Sequence, residues 1–367
     1  MTVHAPVNRF SRWDELSARH APVLAGAARA SFFRTVPWFT TLADSSLDPG
    51  DTVQLYVAGA PPAVILPMRR PPGRAARPRT LTSLANFYSC DFAPLACAEP
   101  TPTDDVGNIA RAMLAERPRI DLVNLTSLPC PTDAFDAVAR GFRDAGWWVQ
   151  RYFHFANRYE PTAGIDADAY LAARPPALRN TLKRKAGALR KANDARIDVH
   201  VAGPALGAAV LETAIADYER VYRASWKVRE PYPDFAAAFI RTCAALGCLR
   251  LGLVHIGEQP AAAQIWIVWH GRATLCKLAH DEHFKARSVG SLLTWRMIQH
   301  VLDVDRVGEI DFGRGDDAFK SLWMSQRREH WGLLAFNPST PWGLLSAARH
   351  LGGRHLARFI RRWLRVS

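Results

Sequence analysis

The sequence predicts an α+β protein of two domains, each a mixed, largely antiparallel sheet flanked by helices. Size comes first: 367 residues with 49% hydrophobic content suit two domains of ordinary size with real cores. A second observation is the meander Leu249–Ile256, Ala261–Trp269 and Ala273–Ala279, three apolar runs parted by the turns Gly257-Glu-Gln-Pro260 and His270-Gly271. The third is the segment after Ala279. A polar loop with one glycine leads into a helix whose Leu292, Leu293, Trp295, Ile298 and Val301 recur at helical spacing, and then into a strand at Glu309–Phe312.

The first domain, residues 1–165, opens on helical patterning at Trp13–Leu16 and Ala18–Ala30. Pro37, within Ser31–Phe39, ends one element and leads into buried aromatics. Thr52–Ala58 and Ala63–Met68 form a hairpin, and Arg69–Arg79 a surface loop. Leu81–Phe92 lacks periodicity and is rich in hydrogen-bonding side chains, so it either lines a cleft through Tyr88 or is anchored by Tyr88 and Asn86. A helix at Val106–Glu116, a strand at Ile120–Leu125, a helix at Asp133–Ala145 closed by Gly146 and a strand at Trp147–Tyr159 complete the domain.

The second domain, residues 166–338, begins with a helix at Asp168–Ala173, Pro175-Pro176 and a basic helix. Then come a strand at Ile197–Ala202 and helices at Ala205–Trp226 and Phe235–Leu246. After the meander, the glycine loop and the strand at Glu309–Phe312, the turn Gly313-Arg-Gly-Asp316, a short helix through Trp323 and a strand at Glu329–Phe336 close it. Residues 339–367 form a third segment. There Leu356, Phe359, Ile360, Trp363 and Leu364 alternate with Arg358, Arg361, Arg362 and Arg365 on opposite faces of a helix.

The net charge of +13 is concentrated in two blocks. One holds Arg179, Lys183, Arg184, Lys185, Arg190, Lys191 and Arg196 against Asp194, and the tail holds six arginines and no acid. Such blocks attract acyl-carrier proteins, phospholipid headgroups and nucleic acid; the alternative is a solvated helix face. The tail reads either as an interfacial membrane anchor or as a terminal helix docked by its apolar side. The chain shows no signal-peptide pattern and no run long enough to span a membrane, so a cytoplasmic protein is expected, with the inner membrane surface as a further site through the tail. Six cysteines without CxxC spacing read as reduced thiols, and no metal is expected. No RRM, KH or zinc-finger pattern is present.

The loop after Ala279 is a place to hold a phosphate-bearing cosubstrate. Ser288 or Arg287 would open the helix, its first-turn N–H groups and the Arg287 guanidinium suit a pyrophosphate, and Gly290 allows close approach. Several segments resemble the cellulose-biosynthesis (CelD-like) acetyltransferases, a branch of the GNAT fold similar in plan to FemABX transferases. The resemblance is carried by Ser31–Phe39, Ser83–Tyr88, Tyr222-Arg-Ala-Ser-Trp-Lys227, His280-Asp-Glu282 with Ser288-Val-Gly290, and Asp311-Phe-Gly-Arg-Gly-Asp-Asp-Ala-Phe-Lys320 with Trp323. It implies tandem GNAT-like domains, the first degenerate and the second working. It also implies an acyl-CoA or acetyl-CoA cosubstrate in a gap between the fourth strand, Ala273–Ala279, and the fifth, Glu309–Phe312. Leu278, Ala279, His280, Arg287, Ser288, Val289, Gly290 and Ser291 would line that site. Two departures stand out: Leu292 where a small residue is expected, and Phe319 where many relatives carry a tyrosine.

Acyl transfer to an amine needs a proton acceptor, a polarised carbonyl and two reactants held together. Asp281, with Glu282 behind it, Asp311 and Asp316 are the candidate bases; for Asp316 and Asp317 the alternative is capping the next helix. Arg314 and Lys320 would bind a phosphate or carboxylate or pair with nearby acids. Trp226 and Lys227 would form an aromatic wall and a cation for the acceptor, or a packed ring with a solvated lysine. The expected function is N-acyltransfer from acyl-CoA or acyl-carrier protein to an amine of a sugar, amino acid or lipid precursor, in polysaccharide or envelope biosynthesis. Alternatives are an aminoacyl-tRNA-dependent transferase, with the basic helix facing RNA, and a non-catalytic protein that binds anionic surfaces.

Overall fold

A computed structural model describes residues 6–59, 64–73, 76–97, 101–203 and 206–350. The described chain forms two units: one takes the residues up to Ala43, Leu47–Phe155 and those from Glu329 on, and the other Asp44–Ser46 and Ala156–Arg328.

In the first unit the elements are β1 (Val7–Phe10), α1 (Ala21–Ala30), α2 (Val36–Ser46), β2 (Thr52–Ala58), β3 (Val64–Arg70), β4 (Thr80–Ser83), β5 (Leu95–Ala96), α3 (Thr103–Ala115), β6 (Leu122–Cys130), α4 (Asp133–Asp144) and the start of β7 (Trp148–Pro161). Strands β1 to β4 pair antiparallel in turn, β4 pairs parallel with β6, and β5 pairs with β3. Thr35 and Thr132 cap α2 and α4 by accepting from Trp38 N–H and Phe135 N–H, which fixes where the two helices start.

The second unit holds α5 (Ala167–Ala172), α6 (Pro176–Ala192), β8 (Ala195–Val201), α7 (Ala208–Arg223), α8 (Phe235–Ala245), β9 (Leu249–Ile256), β10 (Gln259–Trp269), β11 (Arg272–His280), α9 (Val289–Asp303), β12 (Glu309–Arg314), α10 (Ala318–Trp323) and the start of β13 (Gln326–Phe336). Its sheet runs from the second half of β7 through β12, β11, β10 and β9 to β8. Among the described strands of this sheet β11 and β12 alone pair parallel, besides an isolated parallel bridge between Asn157 and Gly315. Leu292, Leu293, Met297 and Val301 of α9 pack with Trp266, Phe312 and Trp323 in one core. A Cβ at Gly252 of β9 would lie 2.5 Å from Met297 Sδ, so the small residue sets how closely α9 lies on the sheet. Buried Arg174 donates to both oxygens of Glu160 (2.7 and 3.1 Å) and to Trp323 O (2.6 Å), tying the start of α6 to β7 and α10.

The three strands of the meander and the glycine-loop helix fall where the periodicity placed them. The division between the units falls inside β7 and β13, because β7 pairs with β12 from Asn157 on whereas β13 pairs with β6 from Glu329 on. Two points depart from the sequence reading. The segment after Thr80 starts as a strand, β4, too short for alternation to reveal. The glycine loop is a 3-10 turn at Glu282–Arg287. Residues 341–350 are helical; the amphipathic run beyond them lies outside the described residues.

Candidate active site

The site is built where β11 and β12 part. Their pairing covers Arg272↔Glu309, Ala273↔Ile310 and Thr274↔Asp311 and then ends, although β11 continues to His280 and β12 to Arg314. Register on the other side of β11 shifts between Ile265 and Trp266, leaving Cys276 as an extra residue. A bulge there bends the strand and turns backbone groups off the ladder just where the neighbour is lost. Beyond Thr274, β11 therefore has no neighbouring strand on this side among the described residues, which leaves an edge that a ligand carrying amides can line.

At the far end of β11, Asp281 caps the 3-10 turn and Ser288 adopts a left-handed conformation (φ 57°) to start α9. The first helical bond of α9 runs from Leu292 N–H to Ser288 O, and no side chain caps the end. The N–H groups of Val289, Gly290 and Ser291 thus have no acceptor among the described residues, and no acid stands in the first turn. This is an anion-favouring helix end. Gln264 anchors it by donating to Thr294 Oγ1 (2.7 Å) and Gly290 O (3.3 Å). Gly290 serves a neighbour as well: a Cβ there would lie 3.3 Å from His280 Nδ1. Arg287 is held to the side, donating to both carboxylate oxygens of Asp194 (2.5 and 2.8 Å). Leu278 packs against the α9 core and Ala279 is buried, so those two contribute backbone.

The loop between α7 and α8 lies against this end of β11. Ala224 O accepts from Glu282 N–H (3.3 Å), and the Trp226 ring stands 4.4 Å from the His280 ring, centre to centre. Burial holds the His280 imidazole below its ordinary pKa of 6.5, and its Nε2, 3.4 Å from Glu282 Oε1, has no hydrogen-bond partner among the described residues. Lys227 Nζ lies 5.9 and 5.8 Å from the Tyr222 and Trp226 ring centres. Lys277 points to the same corner and pairs with Glu230.

The three candidate carboxylates are fully engaged. Asp281 Oδ1 accepts from His283 N–H and Nδ1 (both 2.9 Å) and Oδ2 from Gln259 (3.3 Å). Asp311 accepts from Gly313 N–H (2.7 Å), Arg328 (3.0 Å) and Asn157. Asp316 bridges Arg158 (2.5 Å) and Arg327 (2.7 Å), whose hydrogen bonds hold its carboxyl below the ordinary value. Asp317, not Asp316, caps α10. Lys320 is buried and gives its protons to Phe312 O (2.7 Å), Arg314 O (2.7 Å) and Gly313 O (3.3 Å), which makes it a clamp on the end of β12. Phe319 packs on the core beside Trp323. Tyr88, in the first unit, stacks near Phe87 and donates its N–H to Asn86 Oδ1 (2.9 Å), the anchoring alternative. Sequence reasoning gave no role to Lys277 or Glu230. A lone cation inside an apolar strand was the available signal, but only folding brings its partner 47 residues upstream to it. Among the described residues, no group of three His, Cys, Asp or Glu is placed to hold a metal ion.

A parallel pair that splays at a bulge, followed by a helix with an open N-terminus, gives the second unit a GNAT-like fold. Residues 176–321 match the Acetyltransferase (GNAT) domain family, a match that does not reach the narrower cellulose-biosynthesis branch. No curated protein matches the chain. Among solved structures it is similar to FemX, at 9% identity and a TM-score of 0.54 over 88% of this chain and 96% of that one. It is also similar to a tandem GNAT protein from the clavulanic acid biosynthesis pathway (13%, 0.52; 91% and 100%). A third is the C-terminal domain of a protein described as a lysylphosphatidylglycerol synthetase from Agrobacterium fabrum (11%, 0.52; 91% and 96%). At these identities the likeness is one of fold.

Proposed function

We propose that the second unit is an N-acyltransferase moving an acyl group from acyl-CoA, acetyl-CoA foremost, or from an acyl-carrier protein, to an amine of a sugar, amino acid or lipid precursor. Polysaccharide or envelope assembly is the setting this acceptor range fits. The observation that carries the reading is the gap itself: a strand edge that has lost its neighbour, a bulge at Cys276 and three N–H groups of α9 without an acceptor among the described residues lie along one line of chain. The N–H groups of Val289, Gly290 and Ser291 would hold the pyrophosphate, and the β11 edge the pantetheine amides. A backbone N–H at the bulge would polarise the thioester carbonyl. The amine nitrogen then forms its bond to that carbon, the C–S bond breaks, and the thiolate leaves to take a proton from water. The proton lost by the amine goes to water in the gap.

The test is calorimetry with CoA on wild type and Gly290→Val. The branched side chain would push against His280 and crowd the helix end, so affinity should fall at least tenfold; unchanged affinity would place the cosubstrate elsewhere. Arg287→Ala should matter less, because Asp194 already holds that guanidinium.

A second reading, aminoacyl-tRNA as donor, has one observation in its favour. Helix α6 exposes Arg179, Lys183, Arg184, Arg190 and Lys191 and leans on the 3-10 turn through Lys185 Nζ to Ala286 O (2.5 Å). Native mass spectrometry against CoA, acetyl-CoA and tRNA separates the two donors. Among the described residues no helix is long and apolar enough to cross a membrane; contact with an anionic membrane surface is assigned to the arginine-rich tail.

A further inference from the structure

We propose that the corner formed by Tyr222, Trp226, Lys227 and Lys277 binds an anionic group, phosphate or carboxylate, carried by the acceptor amine. The acceptor role rests on the transferase reading; the anion contact rests on the charges of the corner itself.

Three lysines converge here from different elements: Lys227 from the loop after α7, Lys277 from β11 and Lys320 from α10. Two are satisfied within the protein. Lys277 pairs with Glu230, and Lys320 spends its protons on three carbonyls beside the Asp317 cap. Lys227 Nζ forms no hydrogen bond or ion pair among the described residues; its neighbours are the ring faces of Tyr222 and Trp226. The charged and titratable groups that face it are Lys277, Glu230, Lys320 and Asp317, with His280 across the Trp226 ring. Three cations against two carboxylates leave one positive charge without a counter-ion. Burial first, then the charge of Lys277, push the Lys227 ammonium down to about 8, which is the cost of keeping it there unpaired.

An anion set against Lys227 would remove that cost. Trp226, 50% exposed, offers a flat apolar face beside it of the kind that covers a sugar ring or a short aliphatic backbone. The Trp226–His280 contact and Lys277 set this corner beside β11, the strand whose edge would carry the thioester. The corner thus selects amines bearing a negative group a few bonds away, such as an amino sugar phosphate or an amino acid, over neutral amines.

The experiment is NMR of protein labelled at lysine Cε and saturated with CoA, so that the α9 end is already filled. The Lys227 signal is identified by its loss in Lys227→Met. Without added anion its titration midpoint should lie near 8. Inorganic phosphate or acetate should raise that midpoint by about one unit, a tenfold preference for the charged form. The stronger of the two names the group. Lys277→Met, which frees Glu230, should raise the midpoint without any anion, and Lys227→Arg should keep phosphate binding that Lys227→Met loses. A midpoint that neither anion moves, in protein that binds CoA normally, would overturn the proposal and leave the transferase reading standing. If CoA fails to bind while phosphate still shifts Lys227, the transferase reading falls and takes the acceptor role with it.

Discussion

Replacing Lys320 by methionine tests whether that lysine holds the site or binds substrate. The ammonium is buried and its three donors meet three carbonyls, two of them at 2.7 Å. Each charge-assisted bond is worth about 1.5–3 kcal/mol, and carbonyls left buried without a donor cost about 1–3 kcal/mol apiece. Against this, the variant relieves the desolvation of the lysine itself and its repulsion of Lys227. Gly315 (φ 115°), where a Cβ would lie 3.3 Å from Lys320 Nζ, shows how closely the loop is moulded to the ammonium. We expect a net loss of about 3 kcal/mol, or roughly 6–12 °C in Tm for a unit of this size. Because the carbonyls belong to the end of β12, CoA affinity should fall together with stability. Calorimetric unfolding and CoA titration on one preparation decide it. A Tm within about 2 °C of wild type, with turnover lost, would refute the reasoning and return Lys320 to the acceptor.

His280 borders the α9 end proposed for the pyrophosphate, where a protonated ring adds attraction, so CoA affinity should rise as pH falls through a midpoint below 6.5. His280→Gln should remove that dependence; an unchanged one would assign it to another group. Asp281→Asn can still cap the 3-10 turn whereas Asp281→Ala cannot, so thermal unfolding should separate them by about 1 kcal/mol. If Asp281→Asn loses turnover while binding CoA and unfolding normally, the carboxylate rather than the cap does the chemistry. Sedimentation with anionic vesicles should retain the full chain and release one stopped after Pro338, an attraction that salt weakens.

Much of the second unit was legible because its signals are local. Leu249–Ile256 was bounded to the residue by glycine turns, and α9 by its apolar spacing. The open end of α9 was legible too, since a helix that starts without a capping side chain leaves its first-turn N–H groups unbonded, whereas the gap between the strands came from the resemblance. The working parts of the site were less so. Whether Asp311 is a base or a scaffold depends on Arg328, Asn157 and Gly313, which reach it through β-pairings no spacing encodes. Arg287 read as a free guanidinium because Asp194, 93 residues upstream, gives no sign in the sequence that the end of α6 comes to rest beside it.

The two units repeat one plan, yet among the described residues only the second shows a gap. In the first, β4 and β6 pair parallel over three residues, Thr80↔Leu122 to Thr82↔Asn124, as β11 and β12 do. There the resemblance stops. Ser83 Oγ accepts from Thr126 N–H (3.1 Å) and bonds the Thr126 hydroxyl (3.0 Å), and Phe92 N–H donates to Ser127 O (3.0 Å), so the chain after β4 is laced back onto β6. Asp91 in that return segment is held by Arg34 (2.8 Å); burial pulls its carboxyl up, but the guanidinium outweighs it and leaves the group below its ordinary value. The helix that should receive a pyrophosphate, α3, starts 20 residues after β4 and carries Asp104 and Asp105 in its first turn, where they occupy the positive end of the dipole. A phosphate would meet like charge there. In α9 the same turn is free of acids, follows the strand through a single 3-10 turn, and keeps three N–H groups open. Opening the first unit would take more than removing Ser83: the acids of α3 would have to go as well. The single variant Ser83→Ala should therefore cost stability and leave the count of bound CoA at one per chain.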